Sequence, residues 1–299
     1  MRLTGAELCL SPLLCAFYFT NKYILSVLKF TYPTLFQGWQ MLVGGLLLQV
    51  SWKLGWVEMK SNVLWSAKIS WFPGAVLFVG MIYAGSRALS KLPIPFFLVF
   101  HNVSELVATI LQRLSKKEKW SFMKFLSLLM VLLAAVCLPL NDLQFDPAGY
   151  FWAVIHCLCA GGYRVFQELP KSCLLSEFEQ QYLNYLYSVV LLAFAAHFSG
   201  DAFSALDFPF LYFYRFHGGC CASGILGFCV LLASVKVKSY FSTDQFDAWM
   251  FLTKVLASSL SLGVFETRLN VPTSCCFLLG ALGEALFVYA KRSGALVKG

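Results

Sequence analysis

The sequence predicts an all-α polytopic membrane protein, with ten transmembrane helices arranged as two inverted five-helix repeats. Three observations carry that expectation. Hydrophobic residues make up 59% of the 299 positions, with a mean hydropathy of +0.70. They fall into ten apolar runs of about 20 residues, the length of helix that crosses a hydrocarbon core about 30 Å thick. Several runs carry a lone ionisable residue near the middle, as Glu105 does in FHNVSELVATI and Lys254 in AWMFLTKVLASSL. Finally, the polar stretch NDLQFDP just after Leu140 divides the runs five and five.

The expected spans run over 5–28, 33–55, 68–89, 94–114, 121–140, 148–168, 181–198, 208–234, 239–265 and 271–290. The first reads as a retained span, because its apolar stretch continues through Lys22 and Tyr23 with no small-residue cleavage pattern. Trp52, Trp56, Trp65 and Trp71 around the loop between the second and third spans suggest a headgroup belt. The fourth span contains the sequon Asn102-Val103-Ser104, which within a membrane is out of reach of the glycosylating enzyme. In the eighth, Gly219, Ser223 and Gly227 recur every four residues, a stripe that lets a neighbouring helix approach closely. The connections leave no room for a sizeable soluble domain. The number of spans is even, so both termini share a side.

Lysine and arginine in short loops are retained in the cytoplasm, so their distribution sets the orientation. Of the 23 basic residues, fifteen fall on the side of the termini, among them Lys53, Lys60, Lys68, Arg113, Lys116, Lys117, Lys119, Lys171, Lys236, Lys238, Lys291 and Arg292. The opposite side holds Lys29, Arg87, Lys91 and Arg268, while Lys22, Arg164, Arg215 and Lys254 lie within spans. Both termini are therefore expected in the cytosol. The net charge of +8 sits in juxtamembrane loops, where topology and anionic lipid headgroups account for it, and not in a nucleic-acid-binding face. Most of the 11 cysteines lie inside spans, with no CxxC pair and no histidines at zinc spacing, which argues against a metal site. No nucleophile–base arrangement or phosphate loop points to an enzyme, and no cofactor is implied.

The division near Leu140 gives two units, 1–140 and 141–299. Each has an odd number of spans, so a shared fold requires the second to sit upside down, the inverted-repeat design of many secondary transporters. A faint internal echo, Ala88-Leu-Ser-Lys91 and Ala233-Ser-Val-Lys236, precedes the fourth and ninth spans. One ionisable side chain at a helix centre costs about 3 kcal/mol, so Lys22, Glu105, Arg164, Asp247, Lys254 and Glu284 together would cost roughly 20 kcal/mol facing lipid. They must face protein or water. His101 and Glu105 are four apart and Asp247 and Lys254 seven apart, so each pair shares a helix face. The fourth and ninth spans hold equivalent places in the halves, and a cavity between them would be lined by His101, Asn102, Glu105, Asp247, Thr253 and Lys254. A purely structural role is the competing explanation for each: Glu105 bonding His101, Asp247 pairing with a neighbouring helix, Glu284 bonding between helices.

Local patterns along nearly the whole chain resemble the nucleotide-sugar transporters of the drug/metabolite transporter superfamily, above all their GDP-mannose branch. Thr20-Asn21-Lys22 is similar to that branch's TNK, Trp71–Leu89 to its third span, and Ile94–Asn102 to its fourth. Gly149-Tyr-Phe-Trp152 opens the sixth span, and Tyr289-Ala290-Lys291 closes the tenth, in the same manner. The resemblance implies the drug/metabolite transporter fold. It also implies a base-reading stretch at Tyr182-Leu183-Asn184-Tyr185, in place of Phe-Tyr-Asn-Asn, and a phosphate-side lysine at Lys254 after Thr253, in place of Gly-Ala-Leu-Asn-Lys. His101 replaces a lysine and His156 an asparagine of the family pattern, so the implied cavity differs in charge and shape.

The expected function is exchange of a cytosolic nucleotide sugar for a lumenal nucleoside monophosphate by alternating access. UDP-N-acetylglucosamine is favoured because the guanine motif is incomplete. Substrate contacts are expected from Lys254, Thr253, Asn184, Tyr182, Asn102, His101, Asp247, His156 and Asn21, with Glu105, Glu284 and Lys22 as coupling or structural polar groups. Strict exchange would follow if Lys254 were unpaired in the empty carrier, since closing over an uncompensated cation costs several kcal/mol. The partners expected are the ligands and the lipid bilayer, with a homodimer left open. The location implied is the Golgi membrane, with the endoplasmic reticulum as the second choice. A proton-coupled carrier of another small metabolite, or a non-transporting membrane scaffold, are the alternatives.

Overall fold

The computed structural model describes residues 5–59, 65–116, 121–169, 175–265 and 269–298. Lys60, Lys117, Lys119, Lys171 and Arg268, counted above for orientation, lie outside the described residues. Among those described, the fold is all-helical: α1 (Gly5–Lys22), α2 (Pro33–Lys53), α3 (Trp65–Lys91), α4 (Ile94–Lys116), α5 (Phe122–Leu140), α6 (Pro147–Gln167), α7 (Glu177–Phe198), the short α8 (Asp201–Ser204), α9 (Tyr214–Tyr240), α10 (Thr243–Val264) and α11 (Val271–Lys298). A long helix covers every expected span. Five of them, α3, α4, α5, α9 and α11, are apolar enough over their length to cross a membrane, and α7 with the bent segment after it makes a sixth. The others fall short on composition because they carry the inward-facing polar groups: Asn21 and Lys22 on α1, Gln37 and Gln40 on α2, His156 and Arg164 on α6, Asp247 and Lys254 on α10.

Helix boundaries follow local chemistry. Asp146 caps α6, its carboxylate accepting from Ala148 N at 2.9 Å and Gly149 N at 3.2 Å, with Pro147 at the first helical position. Capping boxes start α7 at Ser176 and Glu179 and α10 at Ser242 and Gln245. The start of the eighth span moves from the expected 208 to Tyr214, because Gly200 turns the chain at φ 75° and residues 201–207 form a short helix and a 3-10 turn. Lys236 and Lys238, expected in a loop, lie in the last turns of α9. α1 continues as a π-helical turn over Tyr23–Val27.

The packing has a pattern. α2 lies against α7 and α5 against α11, while α3 packs on α6 as α1 packs on α9, and α2 on α9 as α3 on α7. The small-residue stripe serves the α1–α9 contact: a Cβ on Gly219 would lie 3.3 Å from Ile24, one on Gly227 would lie 3.2 Å from Phe17, and Ser223 bonds Asn21. α4 also lies close on α6, where a Cβ at Gly161 would sit 2.6 Å from Val107 and 2.9 Å from the carbonyl of Ser104. Of the expected tryptophan belt, Trp56 is exposed but Trp71 is buried to 1% exposure. Its indole nitrogen donates to Asn184 Oδ1 at 2.9 Å, so an inward-turned polar edge converts an interfacial residue into a core one.

Candidate functional site

A cavity of about 560 Å³ lies between α4, α6, α10 and α11 and is lined by His101, Glu105, Arg164, Asp247, Lys254 and Glu284. Further lining comes from Gln167, Glu177, Lys238 and Phe246, at the ends of α6, α7, α9 and α10. By helix direction those ends lie on the side of the chain termini, so the cavity opens there. Helical spacing places His101 with Glu105 and Asp247 with Lys254 on faces that meet across this space, as the sequence leads one to expect.

Its walls are ion-paired. Lys254 Nζ donates to Glu284 Oε1 at 2.7 Å and to Asn102 Oδ1 at 2.8 Å, while Asn102 Nδ2 donates to Glu284 Oε2 at 2.6 Å, closing a three-residue ring. Arg164 pairs with Glu105, Lys291 with Asp247, and Lys238 with Glu177 at 3.2 Å. Glu105 thus takes Arg164 as its partner and not His101, the partner in the competing structural explanation, because α6 approaches α4 so closely. The lining holds four acids, Glu105, Glu177, Asp247 and Glu284, against the cations Arg164, Lys238 and Lys254. An anionic ligand gains there only by taking a carboxylate's place beside a cation. The premise of an unpaired Lys254 is overturned, since Glu284 compensates it in the empty protein.

The ring also separates two spaces. Behind it, between α4, α10 and α11, lies an apolar pocket of about 350 Å³ lined by Pro95, Val99, Leu262 and Phe277 and touching Asn102, Lys254 and Glu284. Asn102 therefore faces this rear pocket and not the main cavity.

Other expected site residues are held elsewhere. Thr253 is 1% exposed and bonds Ser11 at 2.7 Å and the Trp249 carbonyl at 3.0 Å. One residue of offset on a helix turns a side chain by about 100°, which takes Thr253 off the face of Lys254. Asn184 is fully buried, donating to Tyr163 Oη at 2.6 Å while accepting from Trp71. Tyr182 is partly buried in the cluster around Trp71 and Leu183. Asn21 accepts from Gln40 Nε2 at 2.9 Å and from Ser223. Lys22 is 7% exposed, and its ammonium donates to the carbonyls of Leu89 and Leu92, both at 2.8 Å, tying the end of α1 to the α3–α4 turn on the side opposite the cavity mouth. His156 joins His101 at 3.0 Å behind the cavity wall.

Arg164, Gln167, Glu177 and Lys238 are among the lining residues that the sequence did not assign to the site. Arg164 left a signal: with His156 and Ala160 it repeats every four residues along one face of α6. Glu177 and Lys238 left none, because charged residues at helix ends are ordinary.

An all-helical multi-pass bundle with a polar cavity open to one side is the build of a membrane carrier. The profile of the Triose-phosphate Transporter family matches residues 13–201, more than half of the chain. The chain belongs to that family, and it is a transporter, not an enzyme. It is 59% identical over 277 residues to the "UDP-N-acetylglucosamine transporter TMEM241 homolog" of Xenopus laevis, with 93% of each chain covered. To the "UDP-N-acetylglucosamine transporter TMEM241" of Mus musculus it is 54% identical over 290 residues, with 97% of each covered. The "GDP-mannose transporter GONST1" of Arabidopsis thaliana is a remoter relative, 22% identical over 297 residues, covering 97% of this chain and 88% of its own. One protein of known crystal structure aligns over 97% of this chain and 99% of its own at a TM-score of 0.58 and 16% identity, a likeness of fold alone.

Proposed function

We propose that this protein carries UDP-N-acetylglucosamine from the cytosol into the Golgi lumen and returns UMP, by alternating access of two oppositely oriented five-helix halves, 1–140 and 141–299, that together cross the membrane ten times. The observation that carries the reading is the identity of more than half, over nearly the full length, to two proteins named as transporters of that sugar nucleotide. Two further observations support it. The helix pairing maps onto itself when each half is exchanged for the other, so that α3 on α6 answers to α1 on α9. The cavity opens toward the side of the termini, where the surplus of basic residues argues for cytosol.

In this mechanism the ligand's diphosphate replaces the Glu284 carboxylate at Lys254 and draws on Arg164 as well, because ionised hydrogen bonds to phosphate are about twice as strong as neutral ones. Asp247 and His101 line the remaining wall. Because Glu284 compensates Lys254 in the empty carrier, empty return is not blocked by a bare cation. Exchange is therefore faster than net uptake without being obligatory. A proton-coupled variant has less support, since Glu105 and Asp247 are both committed to basic partners.

Proteoliposomes test this directly. Preloaded UMP is expected to accelerate uptake of UDP-N-acetylglucosamine, with slower uptake into empty vesicles and no response to an imposed pH gradient. Uptake driven by the gradient and indifferent to UMP would overturn the reading in favour of the proton-coupled carrier. No transport, together with no nucleotide-dependent shift in melting temperature, would leave the scaffold. Co-staining with Golgi and endoplasmic reticulum markers checks the compartment.

A further inference from the structure

The histidine pair on the cavity wall has a direction. His156 Nδ1 lies 2.9 Å from the Met81 carbonyl oxygen, which can only accept, so that nitrogen carries a proton. The other nitrogen of the ring, Nε2, lies 3.0 Å from His101 Nδ1. A neutral imidazole protonated at Nδ1 accepts at Nε2, so His101 Nδ1 donates and its own Nε2 is left as a bare acceptor. His101 lines the cavity, and that Nε2 has no protein partner among the described residues. The arrangement is held rigidly. Met81, His156 and His101 come from α3, α6 and α4, the Phe97 ring packs 4.9 Å from the His156 ring, and a Cβ at Gly85 would strike His156 Nδ1 at 2.9 Å.

We propose that His101 is a specificity-determining residue whose Nε2 accepts a hydrogen bond from a hydroxyl or amide N–H of the transported ligand, with His156 as the positioning residue that sets this polarity through Met81. The inference rests on the carrier reading above and adds an orientation to it. Phosphate oxygens only accept, so a bare Nε2 offers them nothing and they turn toward Lys254 and Arg164. The donor-rich part of the ligand faces the α4–α6 wall.

The test measures binding of UDP-N-acetylglucosamine and of analogues that each lack one hydroxyl, or carry oxygen in place of the acetamido N–H. In the wild-type protein one analogue is expected to bind about tenfold more weakly than the parent, the loss of one good hydrogen bond. His101→Asn keeps a donor toward His156 but withdraws the cavity acceptor, and should bind that analogue and the parent equally. His101→Gln, whose longer amide returns an acceptor to the cavity, should recover part of the discrimination. His156→Phe should lose it although the residue touches no ligand. Unchanged ratios across the analogues in His101→Asn would overturn the proposal while leaving the carrier reading intact. Histidine ¹⁵N spectra judge the polarity without ligand: both rings are expected as the Nδ1–H tautomer, and an Nε2–H His101 overturns the inference. A wild-type protein that binds no sugar nucleotide overturns the carrier reading, and the ligand contact with it.

Discussion

Two lysines inside the bundle sit in opposite surroundings, Lys254 midway along α10 and Lys22 at the end of α1 away from the cavity mouth. Lys254 is held by a carboxylate and an amide on the wall of a water-accessible cavity. Lys22 is held by two backbone carbonyls in packing that includes the Phe19–Phe265 ring contact, with centroids 5.8 Å apart, and the buried Leu89 and Leu92. A carboxylate can be exchanged for a phosphate without losing charge balance. A pair of helix-end carbonyls can be exchanged for nothing in a dry setting, so in the proposed mechanism Lys22 serves as a latch on the far side. In the proposed mechanism the same residue type serves as ligand contact or clasp according to what its partner could be replaced by.

The sharpest way to break this comparison is at Lys254 and its acid. Lys254→Ala is expected to reduce uptake on the order of 100-fold and, by orphaning Glu284, to destabilise the protein by about 3 to 5 kcal/mol. The double variant Lys254→Ala/Glu284→Ala should regain most of that stability without regaining transport; recovery of transport would remove the phosphate role. Glu284→Gln leaves the lysine's charge uncompensated in the empty carrier, with Asn102 still accepting from it. Uptake into empty vesicles should then fall further than exchange against UMP, and equal losses in both assays would dissociate charge compensation from reorientation. On the far side, Lys22→Met should lower stability by about 3 kcal/mol in thermal unfolding, two charged hydrogen bonds being lost, and should increase labelling of a cysteine placed near Leu92 from the side opposite the cavity mouth. Unchanged labelling would mean that the latch is packing alone.

Smaller effects sharpen the contrast between site and scaffold. Asn184→Ala should cost about 2 kcal/mol by stranding Trp71 Nε1 and leaving Tyr163 Oη with Gln167 as its remaining donor, with transport per folded molecule preserved. A selective change in which base is carried would instead return Asn184 to the site. Smallest of all is the exposed Lys91–Asp146 pair, 2.8 Å apart. The Lys91 hydrogen bond holds the Asp146 carboxyl below its usual value, helped by the amides of Gly149 and Ala148. Its contribution is therefore present above about pH 4, the unfolded value, and disappears as pH falls through the lower folded value. Lys91→Ala should cost under about 1 kcal/mol at neutral pH, because the pair is exposed, and still less in acid.

Much of this was legible in the chain. Apolar run length placed a helix at each of the ten expected spans, because crossing hydrocarbon imposes both a length and a composition. Spacing of four between His101 and Glu105 and of seven between Asp247 and Lys254 put those four on the cavity, because helical period fixes which side chains share a face. Thr253 and Asn102 show the limit of that argument: each neighbours a cavity residue in sequence, and the helix turned one into packing and the other toward the rear pocket. Asn184 and Tyr182 came from motif similarity, which carries residue type and position but not what a substituted neighbourhood does with them. Trp71 was misjudged because an indole suits an interface and a buried hydrogen bond equally well.

The sequence by itself determined an all-helical membrane protein and the set of ionisable residues that had to avoid lipid, because the cost of burying charge in hydrocarbon depends on composition alone. Only the tertiary structure decided which acid answers which base. Glu284 lies 30 residues from Lys254 and Arg164 lies 59 from Glu105, and no local periodicity reaches across helices. Partner choice is a property of the packed bundle, where the approach of α4 to α6 and of α10 to α11 turns a list of charges into a paired and water-accessible wall.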